Sequence, residues 1–436
     1  MLSIDLPACS RRIRNALMAA AAIAWTVACA QAQVSPLSAF PTASSAAPTP
    51  APVPLLRAGK PTDWWFTFKF NAKAFPGCGG GADETRACPF GGEAQKYTFG
   101  QQYVYASSGS EALQKGGGCV GASSDDPVGA TFDQIYNGSF YYVVWNDQFY
   151  DDPEITGCSQ SCPGPWGHSK GILAWNEVGE GLVMQVTTPS WPAAGGKGFP
   201  RRSDGNTLGC VKDDDVKVSQ HFFALKLNRD DLIAVLQGLQ NASVVTDPKN
   251  LQLVRNGGPA AVQTLVSGLG RRSGSTVIMR VLLSSGVGFI SKPSGAHVPP
   301  WQMVSSLLGG VAMRAATWWA SPEIPTTVGG SVVGCWRADL APPGPVDIAI
   351  TGNWEGTGFG LKGGPGPDFN HAKLGVTTNG SYKLAVFGDM NQQGSLSGPN
   401  CASSQNGRGG LFYVVDSATL TDGIASLIAG ESAAPQ

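Results

Sequence analysis

The chain has 436 residues, of which 42% are hydrophobic and 14% charged, and its formal net charge is −1. That length is sufficient for two large cores or two halves that share one interface. A near-neutral charge excludes wholesale electrostatic capture of a polyanion, which must therefore meet a local basic groove. Candidates for such a groove, or for an ordinary solvated surface, are Lys197, Arg201, Arg202, Lys212, Lys217, Arg271 and Arg272.

The first 60 residues are predicted to lie outside the folded core. Residues 1–32 combine a basic start, an apolar stretch and a small-residue cleavage site at 30–32, which is typical of a secretory signal peptide. Cys29 leaves a lipoprotein as the alternative. Residues 33–60 are rich in Pro, Ala and Ser and are predicted to be a flexible linker. No later apolar run reaches the roughly 18 to 20 residues of a membrane span, so we expect a secreted or periplasmic protein.

Strands are predicted to dominate the rest of the chain, because its 58 glycines and scarce helical periodicity favour strands and turns. The alternation over Trp64–Phe70 predicts a strand with its aromatic side chains on one face. Residues 140–145 form a buried strand, 171–175 and 182–187 form a hairpin, and 374–377 and 382–387 form another around Asn379-Gly380.

Few helices are predicted. The candidates are Arg229–Gln240, with Asn228 as its N-cap, followed by Trp301–Leu308 and Ala418–Ala429. We therefore expect a β-rich α/β (α+β) fold in two pseudo-symmetric halves, residues 61–245 and 246–436, each with a β-sheet flanked by a few helices.

Ten cysteines occur, and two of them belong to the leader. The remaining eight are an even number in a chain predicted to be exported, which favours up to four disulfides. Because six of them precede residue 211, we expect the first half to be more heavily cross-linked. A zinc site is the alternative, although the spacings do not form two Cys-x₂-Cys pairs. The eight are Cys78, Cys88, Cys119, Cys158, Cys162, Cys210, Cys335 and Cys401.

Two His-x-Lys triplets occur in a chain with only four histidines, at 168–170 and 371–373. Each follows a Pro-Gly-Pro run and opens a predicted hairpin, so one small unit is used twice. Residues i and i+2 of a strand share a face, so each imidazole and ammonium can grip one small anion together. Lysine suits a phosphate oxygen, and imidazole can attack phosphorus or transfer a proton. The triplets therefore predict phosphodiester cleavage without metal. Structural or metal-binding histidines are the alternative, and His221, in an apolar segment, is predicted to be a core histidine.

The order of several segments resembles the deoxyribonuclease II family. These are 64–66, 101–105, 142–148, 167–175, 182–183, 186–192, 219–223, 370–373, 388–391 and 408–411. The resemblance implies a phospholipase D-like fold in which each half presents one His-x-Lys triplet. It also implies a DNA endonuclease that needs no metal or other cofactor, forms a phosphohistidine intermediate and leaves 3′-phosphate ends. A homodimer is compatible with the family.

The resemblance also assigns roles to individual residues. His168 becomes the nucleophile and His371 the acid that protonates the leaving oxygen. Lys170 and Lys373 clamp the phosphate oxygens and stabilise the charge that develops on them. The remaining carried-over residues are Asn391 in the second half and, on weaker matches, Thr188 and Ser190 in the first.

One departure narrows the substrate class. The wider superfamily carries an Asp five residues after each Lys, and here Trp175 and Thr378 occupy those positions. The missing carboxylates agree with deoxyribonuclease II and argue against a lipid-cleaving enzyme. Two alternatives remain open: a phosphodiesterase of the same fold acting on lipids or small diesters, and a catalytically inactive secreted binding protein.

Overall fold

The computed structural model describes residues 50–79, 86–95, 99–150, 152–155, 158, 160–379 and 381–435. The predicted signal peptide and residues 33–49 of the predicted linker lie outside these ranges. The linker prediction is wrong for residues 50–60. Leu55 pairs with Pro61, and its amide donates to Thr131 Oγ1 at 2.9 Å. These backbone hydrogen bonds fix the segment against the folded core.

Two large sheets contain fifteen of the strands in the described ranges. The strands are β1 (Trp64–Lys69), β2 (Tyr103–Ser107), β3 (Ser110–Lys115), β4 (Tyr141–Asn146), β5 (Lys170–Trp175), β6 (Gly181–Val186), β7 (Gln220–Leu227), β8 (Val254–Arg255), β9 (Met279–Leu282), β10 (Gly288–Lys292), β11 (Met313–Ala316), β12 (Val346–Ile348), β13 (Thr351–Trp354), β14 (Thr357–Gly360), β15 (Leu374–Thr377), β16 (Leu384–Gly388) and β17 (Gly410–Asp416). The first sheet has the order β3-β2-β1-β7-β6-β5-β4-β8 and the second β12-β11-β15-β16-β17-β10-β9, while β13 and β14 pair separately.

A pattern of five antiparallel strands recurs in both sheets: β4-β5-β6-β7-β1 in the first and β11-β15-β16-β17-β10 in the second. The sheets pack face to face, with Phe387 of β16 stacked on Phe66 and Phe223 at centroid distances of 4.6 and 4.7 Å. The prediction of a β-rich α+β fold is confirmed. Strand β8 also belongs to the first sheet, through its pairing with β4.

The described ranges contain five α-helices. They are α1 (Pro127–Tyr136), α2 (Arg229–Asn241), α3 (Ala260–Ser267), α4 (Pro300–Leu307) and α5 (Ala418–Leu427). The predicted cap of α2 is present, because Asn228 Oδ1 accepts the Asp231 amide at 2.9 Å. Helices α1 and α3 were not predicted. None of the five has the length and apolar character needed to cross a bilayer.

Strand β1 shows how packing on two sides overrides the sequence pattern. Its alternation predicts one buried face, yet all six of its residues are buried. Phe66 packs towards the second sheet, whereas the Trp65 indole donates to Thr131 Oγ1 of α1 at 3.0 Å. The missed helix α1 therefore explains the burial of the second face.

Four disulfides use all eight cysteines outside the leader: Cys78–Cys119, Cys88–Cys210, Cys158–Cys162 and Cys335–Cys401. Three of them lie in the first half, as predicted. The alternative of a cysteine-ligated zinc site is wrong, since every one of these sulfurs is bonded to another sulfur.

Candidate active site

The two His-x-Lys triplets meet at one cavity, which is lined by segments from both parts of the chain. His168 lies two residues before β5 and His371 three residues before β15, and both side chains and Lys373 line this cavity of about 980 Å³. The His168 amide donates to Gly409 O at 2.8 Å, and the His371 amide donates to Ser219 O at 2.6 Å. Each triplet is therefore held by backbone from the opposite half of the chain.

His168 has a defined tautomer. Its Nδ1 lies 2.8 Å from the carbonyl oxygen of Asp389, which can only accept a hydrogen bond. Nδ1 must therefore carry the proton, and the lone pair of a neutral ring resides on Nε2. Burial lowers the pKa of His168 well below its usual value, against the opposing effect of Asp147. The ring is thus a neutral imidazole with a nucleophilic Nε2.

A buried carboxylate joins two cations behind His168. Asp147 is completely buried and accepts from Lys170 Nζ at 2.5 Å and from Arg408 at 2.7 Å. Burial opposes ionisation of Asp147, but the cations Lys170 and Arg408 hold its pKa below the usual range. The guanidinium of Arg408 also binds the carbonyls of Cys162 and Gly167, which ties the segment before His168 to the second half.

His371 faces the cavity between an indole and a carboxylate. Its ring centroid is 4.2 Å from that of Trp318, and its Nε2 is 3.6 Å from Asp215 Oδ2. Burial first, and then Lys373 and Lys170, lower the pKa of His371 well below its usual value. Its Nδ1 is buried and has no hydrogen-bond partner in the described part of the chain. This imidazole is oriented by its ring contacts and can accept or release a proton.

Lys373 is the one triplet lysine that lines the cavity. Its ammonium binds the carbonyl of His371, and burial lowers its pKa to about 7. Its amide donates to Nδ1 of His221 at 3.1 Å, so the proton of that neutral ring is on Nε2. The prediction that His221 is a satisfied core histidine is confirmed, because its ring is fully buried and both nitrogens have partners.

A chain of hydrogen bonds links the two triplets beneath the cavity. From His221 it continues through Nε2 to Gln185 Oε1 at 3.4 Å, and Gln185 Nε2 donates to Asp389 Oδ1 at 2.9 Å. The carbonyl of Asp389 in turn accepts from His168. Burial raises the pKa of the Asp389 carboxyl to about 7. Buried polar groups therefore connect the two triplets.

The remaining predicted residues lie at different depths around the cavity. Lys170 lies behind the cavity wall on Asp147, while Asn391 lines the cavity and donates to Gln393 Oε1 at 2.8 Å. Thr188 and Ser190 are fully buried away from the cavity lining. Ser190 Oγ donates to the carbonyls of Gln148 and Phe149, which gives it a structural contact with the wall.

Arg201 does not belong to the predicted basic groove. Arg201 is buried and binds the carboxylates of Asp204 and Asp213 at 2.7 and 3.1 Å. Its charge is therefore neutralised within the fold and is not available to a polyanion. Arg271 and Arg272 are exposed, and Arg272 lies 5.3 Å from the ring centroid of Trp166, two residues before His168.

Metal binding was an alternative prediction for the two triplet histidines. Within the described ranges, no group of three or more His, Cys, Asp or Glu side chains is arranged to hold a metal ion. Two lysines and an arginine stand beside the two imidazoles, and cationic side chains do not ligate metals. The Asp147 carboxylate is already bound by Lys170 and Arg408. This set is suited to an anion.

Sequence reasoning missed Asp147, Arg408 and Asp389 as members of the site. All three lie in segments that carried the family resemblance, which was the available signal. Trp318 and Asp215 had no such signal, since neither belongs to a resembling segment. Their contacts with His371 exist only in the folded chain.

Comparison with known proteins supports the resemblance to the deoxyribonuclease II family. The sequence model of the family "Deoxyribonuclease II" matches residues 55–252. Over this segment the chain is similar to that family. It is 27% identical over 162 residues to deoxyribonuclease-2-alpha from Rattus norvegicus, and 25% identical over 152 residues to deoxyribonuclease-2-beta from the same organism.

These similarities cover parts of the deoxyribonuclease II relatives. The matched residues are 35% and 34% of this chain, and they span 39% and 35% of the alpha and beta proteins. The matched family segment contains His168 and Lys170 but ends before His371, Lys373 and Asn391. The role of the second triplet is therefore argued from its geometry.

Proposed function

We propose that this protein is an exported, metal-independent endonuclease that hydrolyses DNA phosphodiester bonds and leaves 3′-phosphate ends. The observation that carries the proposal is the single cavity lined by His168, His371 and Lys373, in which one imidazole has a free Nε2 lone pair. The matching strand orders of the two sheets support a phospholipase D-like fold. Both rat relatives are named as deoxyribonucleases.

In the first step, Nε2 of His168 attacks the phosphorus of the bound diester. An N–P bond forms while the bond from phosphorus to the 5′ oxygen breaks, and that oxygen leaves with the electron pair. Protonated His371 supplies its proton, which gives a 5′-hydroxyl end. The 3′ fragment remains on His168 as a phosphohistidine.

The lysines and Asn391 stabilise the charge of the transferring phosphoryl group. Lys373 lies in the cavity wall and contacts a non-bridging oxygen directly, with the Asn391 amide beside it. Lys170 and Arg408 add positive charge from behind His168. Asp147 fixes both of these cations, because it accepts from each at 2.5 and 2.7 Å.

In the second step, His371 acts as a base. It removes a proton from a water molecule, whose oxygen attacks phosphorus as the N–P bond breaks. The electron pair returns to Nε2 of His168, and the product leaves as a 3′-phosphate. His371 regains the proton that it needs for the next turnover.

This division of labour predicts an acidic preference. The first step needs His168 neutral and His371 protonated, and burial lowers the pKa of both rings. His371 therefore loses its proton at a pH below the usual 6.5 or so of histidine, and activity should fall as pH rises towards neutrality. A rate that stays flat from pH 4 to 8 would contradict the assigned roles.

The test is plasmid nicking in the presence of a chelator, followed by end-group analysis. Wild type should cut and leave 3′-phosphates, while His168→Ala and His371→Ala should lose cleavage by a factor of about 10² or more. Lys226→Ala is the matched surface control, because the Lys226 side chain is 55% exposed and the residue lies at the opposite end of β7 from Gln220. Unchanged cleavage by both histidine variants, or 5′-phosphate ends, would refute the mechanism.

Two further arms separate the alternatives. Phospholipid and small diesters are assayed beside DNA, and faster turnover of either would replace the nuclease proposal. DNA binding without turnover would favour an inactive binding protein. Export is supported by the four disulfides, which form and persist in oxidising compartments.

A further inference from the structure

Two fully buried lysines take no part in the chemistry proposed above. Lys69 is the last residue of β1, and Lys292 is the last residue of β10. Both side chains are completely buried. An ammonium group in such a position is costly unless it is well satisfied, so each of these lysines requires a physical explanation.

Lys69 binds a loop of the first half through backbone carbonyls. Its Nζ donates to Val216 O at 2.6 Å and also to Val218 O. The carbonyls of Gly100 and Phe70 lie at 3.1 and 3.2 Å. We call residues 213–219 the first loop; it leads directly into β7.

Lys292 makes the same contacts in the second half. Its Nζ donates to Asn406 O and Arg408 O, each at 2.8 Å. Two further carbonyls, those of Pro293 and Gln405, lie at 3.5 Å. We call residues 404–409 the second loop; it leads directly into β17.

The two arrangements share one register. Lys69 pairs with Gln220 across β1 and β7, and Lys292 pairs with Gly410 across β10 and β17. In each case the lysine binds the carbonyls two and four residues before its strand partner. The same device is therefore present in both halves, although no repeat of the lysines is visible in the sequence around them.

Each loop reaches the triplet of the opposite half. In the first loop, Ser219 O accepts the His371 amide and Asp215 lies 3.6 Å from its Nε2. In the second, Gly409 O accepts the His168 amide, and Arg408 binds Asp147. Gly409 approaches so closely that a Cβ there would lie 2.1 Å from Ala242 O. The loops leave little room for adjustment around the imidazoles.

We infer that Lys69 and Lys292 are positioning residues that act across the two halves: Lys69 fixes the loop that orients His371, and Lys292 fixes the loop that orients His168. The inference rests on the proposed function for its kinetic consequences. Its structural part is independent of the reaction, because it concerns which loop each lysine immobilises.

Lysine suits this task because one flexible side chain can satisfy several carbonyls of an irregular segment. Methionine has a similar length and shape but no donor, so it would leave those carbonyls unpaired. Burial lowers the pKa of both lysines to about 7, because it penalises the charged form.

Hydrogen exchange on the full-length protein tests the structural part. Lys69→Met should speed exchange in the first loop by about 10- to 100-fold and leave the second loop unchanged, and Lys292→Met should do the reverse. Lys69→Gln and Lys292→Gln retain two donors and should show smaller changes, and they serve if the Met variants do not fold. Lys226→Met is the exposed control. A rise spread over both loops, or none in either, would overturn the inference.

Kinetics distinguish the two lysines from ordinary structural residues. Bis(p-nitrophenyl) phosphate releases nitrophenolate, which needs no protonation, so the first chemical step on this substrate requires His168 but not His371. Lys69→Met should retain the nitrophenol burst while it loses DNA cleavage, and Lys292→Met should lose both. Equal loss of the burst in both variants would overturn the assignment of sides. If wild type cuts neither substrate, the proposed function fails while the exchange experiment still decides the loops.

Discussion

Replacement of Asp147 by Asn should destabilise the fold strongly. The variant leaves Lys170, which is 3% exposed, without its counter-ion, and weakens the contacts of Arg408. Removing one partner of a buried ion pair costs about 3 to 5 kcal/mol, because an uncompensated charge remains inside. Arg408 keeps three backbone carbonyls, of Trp166, Cys162 and Gly167, so most of the loss comes from Lys170.

The assay is urea unfolding at pH 7 with the disulfides intact. The matched control is Asp422→Asn, because Asp422 and Lys383 form a pair at 2.9 Å with side chains 63% and 53% exposed. That exposed pair should contribute about 1 kcal/mol or less. If Asp147→Asn unfolds within about 1 kcal/mol of wild type, the buried carboxylate is not what stabilises the two cations.

Two further measurements test the Asp147–Lys170 ion pair. The pKa of Asp147 is lowered in the folded chain, so its stabilisation is complete above the unfolded value near 4 and is lost only as pH falls further. The difference from wild type should therefore be as large at pH 5 as at pH 7. The double variant Asp147→Asn/Lys170→Met should regain stability but not DNA cleavage, since the buried charge is gone but the cation is missing.

Three other outcomes are expected. Loss of Cys335–Cys401, which closes 66 residues, should lower the unfolding free energy by about 4 kcal/mol, against about 2 for Cys158–Cys162, which closes four; thermal unfolding with the reverse order would contradict this. His221→Phe leaves the Lys373 amide without its acceptor, so kcat on DNA should fall about tenfold or more with the fold retained, and an unchanged kcat would show that the amide needs no partner. Burial lowers the pKa of Lys292 from 10.5 to about 7, so the unfolded chain binds more protons than the folded chain between these pH values. The free energy of unfolding of wild type should therefore rise from pH 7 to 9, and it should rise by less in Lys292→Met. Equal pH slopes for the two proteins in urea unfolding would contradict this prediction.

Local sequence patterns predicted six strands of the two large sheets and the capped helix. The hairpin of β5 and β6 follows from two apolar runs around a turn, and α2 follows from Asn228 and its first-turn carboxylates. Helix α1 was not predicted, although Asp126 caps it and Pro127 stands in its first turn, and both are signals of a helix start. Its absence from the prediction also concealed why β1 is buried on both faces.

The residues of the site also fall into two groups, those that the sequence predicts and those that it does not. The histidines and lysines could be predicted because each pair is adjacent in sequence and the motif occurs twice. Their partners could not, because Arg408 and Asp147 are 261 residues apart and His168 and Asp389 are 221 apart. No periodicity encodes such pairs. The fold brings them together when the two sheets pack.

A backbone hydrogen bond joins each triplet to the opposite half of the chain. The geometry of the site therefore forms only when the two halves dock. Neither ring adopts its working orientation in an isolated half, because the carbonyl that anchors it belongs to the other. Partly folded chains should therefore be harmless to nucleic acid. Under the proposed function, this would keep an incompletely folded chain from cutting the DNA of the cell that makes it.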